Sequence, residues 1–102
     1  MGKAQRSKGY RGEYYLVKKF KEAGLKAERV PLSGATRFKK GDVVVEGLTG
    51  EVKLRKNGFK MLYDWLEGND FLAIKADKKR YLIVVPLELF IKLLRRDKDG
   101  LI

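Results

Sequence analysis

The sequence contains no cysteine and no histidine. The first absence removes disulfides, thiolate zinc sites and a cysteine nucleophile. The second removes histidine–metal nucleases, serine–histidine hydrolases and a histidine general base. Catalysis by this chain would have to rest on carboxylates, lysine, hydroxyls and a metal ion. Long hydrophobic runs are also absent. The longest, Tyr81 to Leu87, is far too short to cross a bilayer. Residues 1–8 carry charge with no apolar stretch behind them, so they read as a basic flexible arm and not as a secretory signal. A cytoplasmic location is expected. Acidic residues are scarce: 13 Asp and Glu stand against 24 Lys and Arg, for a net charge of +11. Such an excess on a small domain points to a polyanionic partner. The cations are spread along the chain and do not line one amphipathic helix, which argues against a membrane surface. A soluble protein that merely runs basic is the plain alternative.

What remains has globular composition. The chain has 102 residues, of which 44% are apolar and 11% aromatic. That is enough for one domain, 1–102, with a modest core. Tyr10, Tyr14, Val17 and Phe20 recur at helical spacing and predict a helix over 10–23, with Gly24 as its C-terminal cap. Residues 25–32 read as a short strand. A loop of small and basic residues follows, 33–41. Residues 42–46 and 50–55 read as a hairpin around a turn near 46–49. Phe59, Leu62, Tyr63 and Leu66 define a second helix face that Gly68 ends. Residues 71–76 and 81–85 read as a second hairpin around Asp77-Lys78-Lys79-Arg80, and Pro86 fits the first position of a last helix reaching about Arg96. The fold class is α/β, a mixed sheet flanked by helices in the order αβββαββα.

Three residues carry the chemistry: Asp42 after Gly41, then Glu51 and Lys53 across a Gly-containing turn. Side chains alternate along a strand, so Glu51 and Lys53 share a face. A turn at 46–49 would set Asp42 opposite Lys53 with Glu51 on the diagonal, where two carboxylates can share one ion. Phosphodiester cleavage needs a hydroxide in line with the leaving oxygen and neutralisation of the charge that develops. Carboxylates suit Mg²⁺, which prefers hard oxygen ligands, and a nearby lysine can stabilise developing charge. The same residues also fit two ordinary exposed strand positions. Glu13 adds a third acid. On a helical wheel it lies between Val17 and Phe20, near the centre of the apolar face. A carboxylate there needs a cation or strong hydrogen bonds. A first-turn glutamate favoured by the helix dipole is the other reading.

Taken together, Lys8-Gly9, Glu13, Ser33-Gly34, Asp42 and Glu51-Val52-Lys53 resemble the PD-(D/E)xK nuclease superfamily. More narrowly, they resemble the archaeal-type Holliday junction resolvases and their viral relatives. The match spans residues 8–53. Gly41 stands where the motif has proline, and the interval from Asp42 to Glu51 is short, so the hairpin must be tight. The resemblance implies a restriction-endonuclease-like core and a DNA endonuclease of recombination and repair. Glu13, Asp42 and Glu51 would surround Mg²⁺, with Mn²⁺ as a substitute, and Lys53 would stand beside the attacking water. Ser33 would contact the scissile region or metal-bound water, or is a plain loop serine before Gly34. A homodimer is implied, since resolving a four-way junction takes two symmetric cuts, and Met61 with Trp65 is the candidate interface. Location would be the cellular nucleoid or, for a virus-encoded chain, the host cell. For DNA binding, Lys3, Arg6, Lys8 and Arg11 lie on the arm and helix start. Arg37, Lys39 and Lys40 lie on the loop before Asp42. Arg55, Lys56 and Lys60 follow the catalytic strand. Lys78, Lys79 and Arg80 read as a solvated turn. Flap, nick or duplex nucleases and a non-catalytic nucleic-acid-binding module are the alternatives.

Overall fold

The computed structural model describes residues 2–30 and 41–100, with side chains from Arg11 onward. Its elements are α1 (Gly2–Glu22), β1 (Ala27–Arg29), β2 (Val43–Val45), β3 (Leu48–Gly50), α2 (Lys60–Leu66), β4 (Leu72–Ile74), β5 (Leu82–Val84) and α3 (Leu87–Lys98). This is a mixed α/β fold with open sheets, in the order read from the sequence. The chain forms two compact units, Met1–Leu54 and Arg55–Ile102. Among the described residues, no helix is long and apolar enough to cross a membrane.

In the first unit α1 starts at Gly2, well before the helix start expected at residue 10. Residues 2–9 lack apolar periodicity, so the pattern is silent there. Their Lys, Ala, Gln and Arg nevertheless propagate a helix readily. Val17 and Phe20 are buried, whereas Tyr14, expected on the same face, is exposed together with Tyr15. The helix closes in a Schellman motif. Leu25 donates to the Phe20 carbonyl at 3.0 Å and Gly24 to the Lys21 carbonyl at 2.9 Å, with Gly24 at φ +85°. Leu25 is itself buried. The motif thus turns the chain and plants its next apolar residue in the core.

Strands β1, β2 and β3 form an antiparallel meander with β2 in the centre. Ala27, Glu28 and Arg29 pair with Val45, Val44 and Val43. Val43, Val44 and Val45 pair with Gly50, Thr49 and Leu48. All three valines are buried, and α1 packs on β1 and β2. Fully burying side chains of this size contributes about 1.5–3 kcal/mol each, so this cluster is the core of the unit. The turn between β2 and β3 has two residues, Glu46 at φ +47° and Gly47 at φ +82°. Paired positive φ values are the type I′ geometry that matches strand twist. The Glu46 carboxylate accepts from the Lys26 backbone N–H at 2.8 Å, and the Glu46 N–H donates to the Lys26 carbonyl at 2.8 Å. These bonds anchor the tip to the start of β1.

The second unit holds α2, the antiparallel β4–β5 hairpin and α3. The described strands therefore pair in two antiparallel sheets, where one mixed sheet was expected. Each ladder joins neighbours in the chain. Pro86 sits one residue before the expected position, as the N-cap of α3, with φ −64° and ψ 152°. Leu87, Phe90, Ile91 and Leu94 are half-buried, as the periodicity predicts. A cavity of about 550 Å³ runs between α2 and the start of α3, lined by Phe59, Leu62, Leu66, Val85 and Leu87 among others.

Candidate nuclease site

The hairpin register sets the site. A two-residue turn, in place of the four-residue turn expected, shifts β3 by two positions against β2. Asp42 consequently stands beside Glu51, not opposite Lys53. Two hydrogen bonds bracket Glu51. The Asp42 N–H donates to the Gly50 carbonyl at 2.8 Å, and the Val52 N–H donates to Asp42 Oδ2 at 2.8 Å. On its other side the Asp42 carbonyl accepts from the Val30 N–H at 2.9 Å. Asp42 is therefore fixed between the continuations of β1 and β3. β3 itself stops at Gly50, so Glu51 and Lys53 lie just past its end, where a strand to residue 55 was expected. Their side chains do meet: Lys53 Nζ lies 3.1 Å from Glu51 Oε2, and both are exposed. An exposed pair of this kind contributes little stability, which leaves both groups free to exchange partners.

Glu13 occupies the half-buried position read from the helical wheel, with its side chain only 17% exposed. Its cation is Arg29, whose Nε donates to Glu13 Oε1 at 2.9 Å. Arg29 was missed in the sequence, although a signal was present. β1 alternates inward Ala27, outward Glu28, inward Arg29, which aims the arginine at the helix that carries a half-buried acid. Arg29 also pairs with Val43, the residue after Asp42. The Glu13–Arg29 link thus joins α1 to the strands that hold Asp42.

The three acids do not gather into one group. Among the described residues no three of the His, Cys, Asp or Glu side chains lie close enough to hold a metal together. Asp42 is bonded to the residues on either side of Glu51, while Glu13 is held by Arg29. Each of the bonds above uses one carboxylate oxygen. Ser33, Arg37, Lys39 and Lys40 lie outside the described residues. Lys3, Arg6 and Lys8 fall in the first turns of α1, and Arg11 on that helix is exposed. Arg55, Lys56 and Lys60 belong to the second unit and are exposed, with Lys60 bonded to Asp64 at 2.7 Å. Met61 and Trp65 on α2 are each more than half exposed. No family model, curated protein or solved structure matches the chain.

Proposed function

We propose that the chain is a Mg²⁺-dependent, structure-selective DNA endonuclease that hydrolyses phosphodiesters, with four-way junctions as its substrate. The observation that carries this reading is the placement of Asp42 beside Glu51, with Lys53 at 3.1 Å from Glu51. The residue set resembles the PD-(D/E)xK pattern, and the span of that resemblance falls inside the first compact unit. In this reading that unit is the acid-bearing part of a restriction-endonuclease-like core.

Asp42 and Glu51 fit a magnesium ion by donor chemistry, since Mg²⁺ is commonly held by one or two carboxylates with substrate phosphates and waters completing the shell. Mn²⁺ suits the same oxygens. The ion, when bound, supplies Lewis acidity toward the phosphoryl oxygen. Lys53 contributes positive charge where the phosphate gains negative charge, and it orients the attacking water. The Val52 N–H holds Asp42 in one orientation. Glu13 acts through its pair with Arg29, fixing α1 against β1 next to Asp42. Arg29 bonds Glu13 Oε1 only, so ligation of an ion by Glu13 would fall to Oε2. Paired incisions call for a homodimer, with Met61 and Trp65 as the contact.

A non-catalytic nucleic-acid-binding module is the second reading. The absence of a three-acid group among the described residues favours it. Incubation of labelled four-way junction, flap and linear duplex, with and without Mg²⁺, separates the readings. Junction cleavage is expected only with the metal. Asp42→Asn and Glu51→Gln should each abolish it while leaving DNA binding nearly intact, because removing negative charge does not weaken attraction to phosphate. Binding of these DNAs with no cleavage of any of them in Mg²⁺ favours the binding module. Duplex cut as fast as junction leaves a nuclease but removes junction resolution.

A further inference from the structure

The β4–β5 hairpin carries its unusual residues on the side where a sheet normally meets water. Its register pairs Leu72 with Val84, Ala73 with Ile83 and Ile74 with Leu82. Alternation then puts Ala73 and Ile83 on one face, together with Phe71 and Lys75 at the two ends of β4 and Tyr81 before β5. On the opposite face Leu72, Ile74 and Val84 are half-buried, and Leu82 at the turn end is exposed. On the first face Phe71 is 57% exposed, Tyr81 66% and Ile83 58%, and Ala73 and Lys75 are exposed too. An antiparallel sheet with one solvated face ordinarily places polar residues there. Here the face has a small residue in the middle and an aromatic ring toward each end. Four residues of strand rise separate the levels of the two rings, about 13 Å.

Charge indicates what this face receives. Lys75 Nζ lies 6.0 Å from the centre of the Tyr81 ring. The turn that follows carries Lys78, Lys79 and Arg80, and the only acid from Phe71 to Leu87 is Asp77. A polyanion with flat, apolar faces meets both features at once. Sheet aromatics that stack two or three bases, beside cations that take the phosphates, are a general solution for single-stranded nucleic acid.

We propose that the exposed face of the β4–β5 hairpin binds unpaired bases of single-stranded nucleic acid, with Phe71 and Tyr81 as stacking platforms and Lys78, Lys79 and Arg80 as phosphate contacts. This binding needs no metal and no cleavage, so it stands apart from the nuclease reading. If both hold, the hairpin gives the enzyme a grip on unpaired bases at a branch.

The test uses the full chain in EDTA, so that failure of the metal site does not affect it. Fluorescence anisotropy compares a labelled oligothymidylate, an abasic strand of equal length and a duplex of equal length. Base stacking contributes about 1–3 kcal/mol per base, so the wild-type protein should bind oligothymidylate at least about fivefold more tightly than the abasic strand. The double substitution Phe71→Leu and Tyr81→Leu keeps apolar bulk and removes the rings. It should erase that preference and leave duplex affinity within about twofold. Equal wild-type affinity for oligothymidylate and abasic strand overturns the proposal, with no variant needed. So does a double variant that keeps the wild-type preference. Sedimentation showing that the double variant dissociates a wild-type dimer, with oligothymidylate affinity unchanged, would assign the face to self-association instead.

Discussion

A Cβ built on Gly41 would lie 2.7 Å from the Gly50 carbonyl oxygen, and the residue's φ is +103°. Both facts exclude a side chain. Proline, fixed near φ −65°, is excluded most firmly, so the departure from the motif proline is a structural requirement in this chain. The neighbouring bond from Asp42 N–H to the same Gly50 carbonyl explains why the approach is so close. Gly41→Ala should destabilise the first unit by about 1–3 kcal/mol, read in urea melts, and should pull Asp42 away from Val52. In cleavage assays that variant should lose activity while keeping its affinity for DNA. Residue-level legibility was uneven. The burial of Glu13 was readable from the helical wheel because its neighbours Val17 and Phe20 are strongly apolar. Its partner Arg29 was not, because a three-residue strand gives too few positions to establish alternation.

At the scale of elements, the order αβββαββα was legible from helical periodicity, valine runs and Gly or Pro punctuation. Register was not. It depends on where the turn falls, and Glu46 at φ +47° is a residue type that gives no left-handed signal. The structure offsets that strain with the carboxylate bond to Lys26, a contact twenty residues away that local pattern cannot show. Tyr14 was likewise placed on the core face by spacing, yet Val17 and Phe20 on α1, with Leu25 just after it, already supply the apolar cover of the sheet. Phe20, 3% exposed, is the largest of these. Phe20→Ala should cost about 3–5 kcal/mol. A unit this small has little stability to lose, so thermal unfolding should show its α1–sheet contacts gone near room temperature.

At the scale of the whole molecule, the proposed function makes the net charge of +11 the term that would govern encounter with DNA. Binding should weaken steeply with salt as condensed counterions are released. Removal of residues 1–8 should lower affinity and flatten that slope, since Lys3, Arg6 and Lys8 go with it. An unchanged slope would take the N-terminal cations out of the interface. Sedimentation should show a dimer, and Trp65→Glu should yield monomers that still bind DNA but resolve junctions poorly, because closed two-fold symmetry supplies the second site. A monomeric wild-type protein would sink paired incision and leave a single-cut nuclease standing.

The two-residue turn at Glu46–Gly47 also sets an order of events in time. Closing β2 on β3 spans two residues, whereas closing β1 on β2 spans residues 30–42. Short loops cost the least entropy to close, so the hairpin holding Asp42 and Glu51 forms early and offers α1 and β1 a surface on which to condense. Gly47 has open space where a Cβ would go, so Gly47→Ala perturbs only its positive φ. A penalty of about 1 kcal/mol there should appear almost wholly in the refolding limb of a stopped-flow chevron. Folding would slow by about fivefold while unfolding barely changed.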